Sequence, residues 1–460
     1  VVRKCPPSVG IFFLGEDIVF SRLKNLFGKS ADSRSENGTA DGGNGKSGLA
    51  RQSPFLHREA VFDRNNRLAG HLFRLQQSSS TADAAGDLQR DNDSALLDAL
   101  LASEETWNKI PAYIPLSSAS LDSPVLEKLS GSNVMLLVQL APDAEADLIS
   151  DAIARLREHA YRFGLFRQPK NPAFTKIIQQ VDCAAIDVAG SEPSSIRDFS
   201  AAVRAGVRES TIHLLACNID TDDDHQLCLQ WHFDACHGRF AERSAILKQD
   251  PGGDPHKAQL LNLLRLVQGD AETAEIADAM KQDPVLSFRV LRYLNSPMLG
   301  LTRRIDSLEQ ALIILGRQRL TRWLAVLLFS VREPQMSDWL LVENALTRGR
   351  LMELLAERLM PGQPHDPFFL TGIFSCLNRL LHRPLADILA TLPIADEIRQ
   401  ALLERSGPYA PLLAVAEQSE ELNQSGMADA AQSAGVTPDM VNRALLAATA
   451  WASEVTEYWE

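Results

Sequence analysis

Between Phe55 and about Phe240 short apolar runs alternate with helix-period patterns, and beyond Lys248–Pro255 the pattern turns almost wholly helical. Ala60–Phe62, Tyr113–Leu116, Val134–Val138, Phe163–Phe166, Ala184–Val188 and Thr211–Ala216 read as strands. Asp93–Ala102, Ala144–Tyr161, Ser194–Ala205 and Asp224–Asp234 read as helices. Such alternation calls for a parallel sheet, open or closed into a barrel. The sequence therefore divides into a flexible segment over 1–53, an α/β domain over 54–246 and an all-α domain over 255–458.

Residues 28–53 are almost free of apolar side chains and cannot offset their own ordering entropy, so they read as a linker. Ahead of them Val19–Phe27 has a short basic amphipathic pattern, which fits a membrane-surface or partner-docking helix but, given its length, better fits a frayed terminus. The chain starts with Val, so either the natural start differs or it lies within the first residues. The longest apolar run, Val9–Phe20, is broken by Gly15, Glu16 and Asp17 and falls short of the ~18 residues a spanning helix needs. Fifty-nine acidic against 46 basic residues give a net charge of −13, which argues against generic nucleic-acid binding. Arg303, Arg304, Arg317, Arg319 and Arg322 form a local basic cluster that reads either as a patch or as a solvated helix face. Six cysteines without a CxxC pair fit a reducing compartment, and the expected location is the cytoplasm.

Residues 282–316 carry the densest punctuation. Asp283 reads as a helix cap with Pro284 at the first helical position, and Leu286, Val290, Tyr293 and Leu294 fall on one face before Asn295-Ser296-Pro297 stops the run. Ser307 and Gln310 form a capping-box pattern ahead of Ala311, Leu312, Ile314 and Leu315, and Gly316 ends that helix. This order of DP, apolar helix, LNSP, basic turn, SLEQAL and ILG resembles the HDOD family, the HD-related output domain of bacterial signalling proteins. The resemblance implies an all-α domain that generally lacks the metal-binding residues of HD phosphohydrolases. Where those enzymes carry a His-Asp pair, this sequence has Phe374, Ser375 and Cys376; His365-Asp366 stand earlier, with Asp366 before Pro367 reading as a cap.

The preceding domain resembles the EAL family, a (β/α)8 barrel that hydrolyses cyclic di-GMP in its active members. Val61–Gly70 is similar to the family's opening strand and turn. Where the metal-binding glutamate of the E-x-L signature would follow, the text is His71-Leu72-Phe73-Arg74. Leu137–Leu140 offers no carboxylate pair, and paired aspartates are replaced by Leu165–Gln168. The K-x-D strand end is Ala185-Ile186-Asp187, the A-E-x-V-E strand is Ala216–Asp220, and a Gln-Gly turn is matched by His237-Gly238. The resemblance thus implies a degenerate barrel. Asp187 and Asp220 are the metal-ligand candidates left, and Arg74 is a candidate phosphate contact or a plain surface arginine. Hard cations need several oxygen ligands, so no metal centre and no catalytic residue is expected. Cys228, His232 and Cys236 recur every four residues and would share a helix face, but such a face spreads its ends by about 12 Å, too far for one ion.

The whole chain resembles tandem EAL–HDOD proteins: a degenerate TIM-like α/β barrel followed by an all-α HDOD domain. The expectation is a non-catalytic, cofactor-free signalling protein that binds partner proteins of unspecified identity and is linked by resemblance to motility and biofilm regulation. A cyclic di-GMP receptor without hydrolysis and a residual phosphodiesterase are the alternatives.

Overall fold

The computed structural model describes residues 54–76, 86–206, 212–240, 254–269, 271–283, 286–288, 290–291, 305, 307–330 and 336–457. The linker over 28–53, the Val19–Phe27 pattern, the LNSP stretch, Tyr293, Leu294, Arg303 and Arg304 lie outside these residues.

Eight strands close into a barrel in chain order: β1 (Leu56–Asp63), β2 (Leu68–Leu75), β3 (Ala112–Ser117), β4 (Val134–Gln139), β5 (Arg162–Phe166), β6 (Cys183–Asp187), β7 (His213–Cys217) and β8 (Ala235–His237). β1 runs antiparallel to both β2 and β8, and every other pairing is parallel. Each of the six strand-like runs of the sequence overlaps a strand, with Thr211 outside the described residues. Helices α1 (Gly86–Leu101), α2 (Ala146–Arg157), α3 (Pro193–Gly206) and α4 (Asp222–Gln230) lie among the crossovers, with short turns of helix between. Val61, Leu72, Leu137, Cys183, Ala185 and Leu215 pack together as one interior layer, as the two-residue side-chain period requires. Gly238 follows β8 at φ 150°, where an added Cβ would meet the Ile219 carbonyl at 2.2 Å; only glycine lets the closing strand approach β7 so closely.

The all-α part holds α5 (Pro255–Gln268), α6 (Thr273–Lys281), α7 (Leu308–Leu315), α8 (Arg317–Leu328), α9 (Met336–Leu359), α10 (Asp366–Phe374), α11 (Ala410–Ser419), α12 (Gln424–Ala434) and α13 (Pro438–Glu457), with shorter turns between. The caps read from sequence are in place: Asp283 Oδ1 accepts from Leu286 N at 2.9 Å, Ser307 Oγ from Gln310 N at 3.2 Å, and Gly316 ends α7 at φ 77°. α9 and α10 cross almost backbone to backbone, since a Cβ on Gly372 would lie 2.6 Å from Gly349 Cα.

The two parts share a core. The β1–β2 connection is a hairpin, so no crossover helix covers its outer face. Leu56, Phe73 and Leu75 on that face join one apolar cluster with Leu355, Phe369 and Trp451 of the helical part. Backbone and side-chain bonds fasten the same face. Leu56 N donates to Asn442 Oδ1 at 2.8 Å on α13, and Asn442 Nδ2 donates to the Pro54 carbonyl at 3.0 Å. On α9, buried Glu343 takes the Arg58 guanidinium and the His71 Nε2–H, the latter at 2.5 Å, while Asn344 Oδ1 accepts from Arg58 at 3.0 Å. Burial alone would raise the Glu343 carboxyl, but Arg58 and His71 outweigh it and hold it at about 2.

Candidate functional site at the barrel mouth

The C-terminal ends of β2–β8 and, because it runs the other way, the N-terminal half of β1 form one rim. Register pairs His57 with Arg74 and Glu59 with Leu72. Val61 and Leu72 face the interior, so Glu59, level with Leu72, and His57 and Arg74, one pleat nearer the mouth, also point inward. Glu59 is the hub. Its carboxylate accepts from His237 Nε2 and from Arg74, with His57 Nε2 at 3.3 Å. Burial raises this carboxyl, yet the two imidazoles and the guanidinium together hold it well below the usual carboxylate range. The Asn218 backbone N–H donates to His237 Nδ1 at 3.3 Å, which leaves the ring proton on Nε2, facing Glu59. His57 also reaches out of the barrel, with its Nδ1 3.2 Å from the Ser419 carbonyl at the end of α11.

The candidates named from sequence are placed as follows. Arg74 lies in the mouth with its guanidinium on Glu59 and about a fifth of its side chain exposed (19%). Asp187 ends β6; its Oδ2 accepts from Asn218 Nδ2 at 3.0 Å, and its Oδ1 is buried without a hydrogen-bond partner among the described residues. Asp220 lies past β7 and is exposed to solvent. Gln139 is exposed at the end of β4, and Gln168 brackets the Leu140 backbone with bonds of 2.6 and 2.9 Å. A divalent-metal centre of the kind the EAL resemblance implies needs several convergent oxygens. Here the Glu59 carboxylate is already held by three partners, and the two aspartates differ in placement. Among the described residues no group of three or more His, Cys, Asp or Glu is arranged to hold a metal ion. These residues do not fit such a centre.

Three sequence expectations change. The Cys228–His232–Cys236 face does not form, because α4 stops at Gln230, His232 takes a left-handed conformation at φ 63° and Cys236 is on β8. Burial pushes the Cys228 thiol up to about 12 and Cys236 higher, so both are core side chains in the protonated form. Arg322 is not on a solvated face. It is 4% exposed, bidentate to Glu353, bonded to Asp366 at 3.0 Å and stacked 3.7 Å over the Phe369 ring, because α8 is buried on every side from Leu320 onward. Asp366 is therefore an ion-pair partner at the first position of α10, where no side-chain cap is made. The Phe374–Cys376 stretch is faced by a second buried guanidinium, Arg348, which donates to Ser375 Oγ and to Glu420 at 2.7 Å each.

Glu59, His57 and Glu343 were not singled out from sequence. The signal was present in part: His57 and Glu59 are polar residues two apart in a strand, hence on one face. Their partners lie 178 and 362 residues away and carry no local mark.

Residues 257–389 match the HDOD domain family. The chain is 24% identical over 313 residues to the cyclic di-GMP phosphodiesterase CdgJ of Vibrio cholerae, covering 67% of this chain and 71% of that one. It is 28% identical over 211 residues to the uncharacterized protein YuxH of Bacillus subtilis, covering 45% of this chain and about half (51%) of YuxH. Among solved structures, the Bacillus subtilis YkuI protein, with an EAL domain in complex with cyclic di-GMP and calcium, aligns at 11% identity and a TM-score of 0.32 over 54% of this chain and 72% of that one. Among the described residues no helix is long and apolar enough to cross a membrane. The chain is an eight-stranded barrel followed by a helical part in which residues 257–389 match the HDOD domain family.

Proposed function

We propose that this protein works in cyclic di-GMP signalling without hydrolysing the nucleotide, through binding of partner proteins by the joined barrel and HDOD domain. The observation that carries the reading is the state of Glu59, whose carboxylate is taken up by His237, Arg74 and His57. In-line attack on a phosphodiester at neutral pH asks for metal-activated water and for cations on the phosphoryl oxygens. The mouth offers instead a carboxylate tied up by three partners and an aspartate bonded to an amide. Incubation of the purified chain with cyclic di-GMP and Mg²⁺ or Mn²⁺ should leave the nucleotide intact; turnover that disappears in Asp187→Ala would overturn the reading.

The name of the Vibrio relative favours a second reading, residual phosphodiesterase activity, and the same incubation separates the two. Binding without hydrolysis is a third outcome. It would need the Arg74 guanidinium to leave Glu59 for a phosphate, so calorimetry with cyclic di-GMP should show heat that Arg74→Ala abolishes if the barrel is a receptor.

A further inference from the structure

Opposite the mouth, at the N-terminal ends of β2 and β3, a cavity of about 490 Å³ opens between the barrel and the helical part. A cavity of this size at a junction, with mostly apolar walls and a few polar groups, is the usual form of a small-molecule site. Leu68, Ala69 and Pro111 from the barrel and Trp339 from α9 supply the apolar walls. The polar side chains behind those walls are out of an occupant's reach. His71 Nδ1 and Ser453 Oγ are fully buried, and Thr456 Oγ1 donates to the Ala452 carbonyl at 3.1 Å. What an occupant can meet, besides apolar surface, is charge. Arg67, Lys109 and Glu454 stand in the lining, two cations against one anion. Lys109 Nζ and Glu454 Oε1 are 3.9 Å apart, too far for a hydrogen bond, so the ammonium donors of Lys109 are not spent on that carboxylate. The Lys109 side chain is 72% exposed, and its long stem lets the ammonium follow an anion placed at the opening.

We propose that this junction cavity binds an amphipathic monocarboxylate, a molecule with an apolar body about the size of a fused aromatic bicycle and one anionic head. The body lies against Leu68, Ala69, Pro111 and Trp339. The carboxylate stays at the opening, where it accepts from the Lys109 ammonium and cancels the excess positive charge of Arg67 and Lys109 over Glu454. Because the walls come from both parts of the chain, occupancy fastens the helical part to the barrel. The site is independent of the mouth and of any hydrolysis there.

Naphthalenes that differ in the charge of the head group test it on the full chain: anionic 2-naphthoate, uncharged 2-naphthamide and cationic 2-naphthylmethylammonium. Ligand-observed saturation-transfer NMR and calorimetry at low salt should rank them in that order. Naphthoate should lead naphthamide by roughly three-fold, the size expected of an ion pair near water, and should raise the melting temperature. Added salt should weaken naphthoate and leave naphthamide unchanged. Lys109→Met, a change at an exposed position that keeps the apolar stem, should bring naphthoate down to the level of naphthamide. Ala69→Leu narrows the cavity and should weaken all the probes; should that variant not fold, the ranking and Lys109→Met carry the test. No naphthoate signal at millimolar concentration, an amide or ammonium that binds as tightly, or unchanged naphthoate binding in Lys109→Met would each overturn the proposal. So would an equal loss in Lys128→Met, an exposed lysine outside the cavity, which would mark adventitious surface binding only.

Discussion

The two faces of β1 carry similar side chains and use them differently. Inward, His57 and Glu59 join Arg74 and His237 at a mouth that is partly open to water, with Glu59 18% exposed. Outward, Arg58 meets Glu343 and His71 in a junction where Glu343 and His71 are 2% exposed or less. Ion pairs in these two settings are not equivalent. Near water the pair gains little, because solvent screens it and charges are cheaply hydrated when it breaks. In a sealed junction the attraction is stronger, but so is the penalty when one partner is removed. The outward set therefore specifies how the HDOD domain sits on the barrel, and the inward set ties up the Glu59 carboxylate at the mouth.

The largest effect should come from breaking the outward set. Glu343→Ala strands the Arg58 guanidinium in a dry junction and should destabilise the protein by about 3–5 kcal/mol, read as a lower melting temperature in calorimetry. A loss under about 1 kcal/mol would place the junction among solvent-screened pairs and dissolve the contrast with the mouth.

Acid should act on the same pair next. Glu343 is held at about 2 against 4.5 unperturbed, so its folded value is depressed and the unfolded chain takes up the proton first. Its contribution, on the order of 3 kcal/mol, is complete above pH 4.5 and drains away as pH falls toward 2. Glu59 is depressed as well, so the two carboxylates act in one direction. Equilibrium unfolding from pH 7 to 3 should show the decline steepen below about 4.5, with Glu343→Gln and Glu59→Gln each flattening it.

A smaller step probes the backbone seam. Asn442→Ala removes two bonds from α13 to Pro54 and Leu56 and leaves a buried N–H without its partner, at a cost of about 1–3 kcal/mol in denaturant unfolding. At the mouth, Glu59→Gln keeps the shape and loses the charge, and should lower the melting temperature less than Glu343→Ala does. A larger loss there than in Glu343→Ala would mean that the mouth, rather than the junction, holds the domains in place.

Much of the architecture was written locally. β-branched and aliphatic runs such as Val134–Val138 marked the barrel strands, and Ser307 with Gly316 bounded α7 to the residue. What escaped depended on distance. β8 is three residues long, too short to show a period, and the stretch before it had read as a longer helix until His232 turned it. Arg322 looked like one of a run of solvated arginines because nothing near it in sequence announces Glu353, 31 residues on. In the candidate site, Arg74 and Asp187 were singled out from family-like strand ends, whereas Glu59 stood unnoticed beside His57. Its meaning comes from His237, which the closing of the barrel brings back to β1. Single residues at strand ends are legible in sequence; the cluster around Glu59 is a product of topology.

Manganese binding to the intact chain, followed by electron paramagnetic resonance, tests the central claim most directly. A mouth whose Glu59 carboxylate is held by His237, Arg74 and His57 should take up no stoichiometric Mn²⁺, and the spectrum of the free ion should persist at equimolar protein. Uptake of one or two ions per chain, lost in Asp187→Ala, would contradict the account.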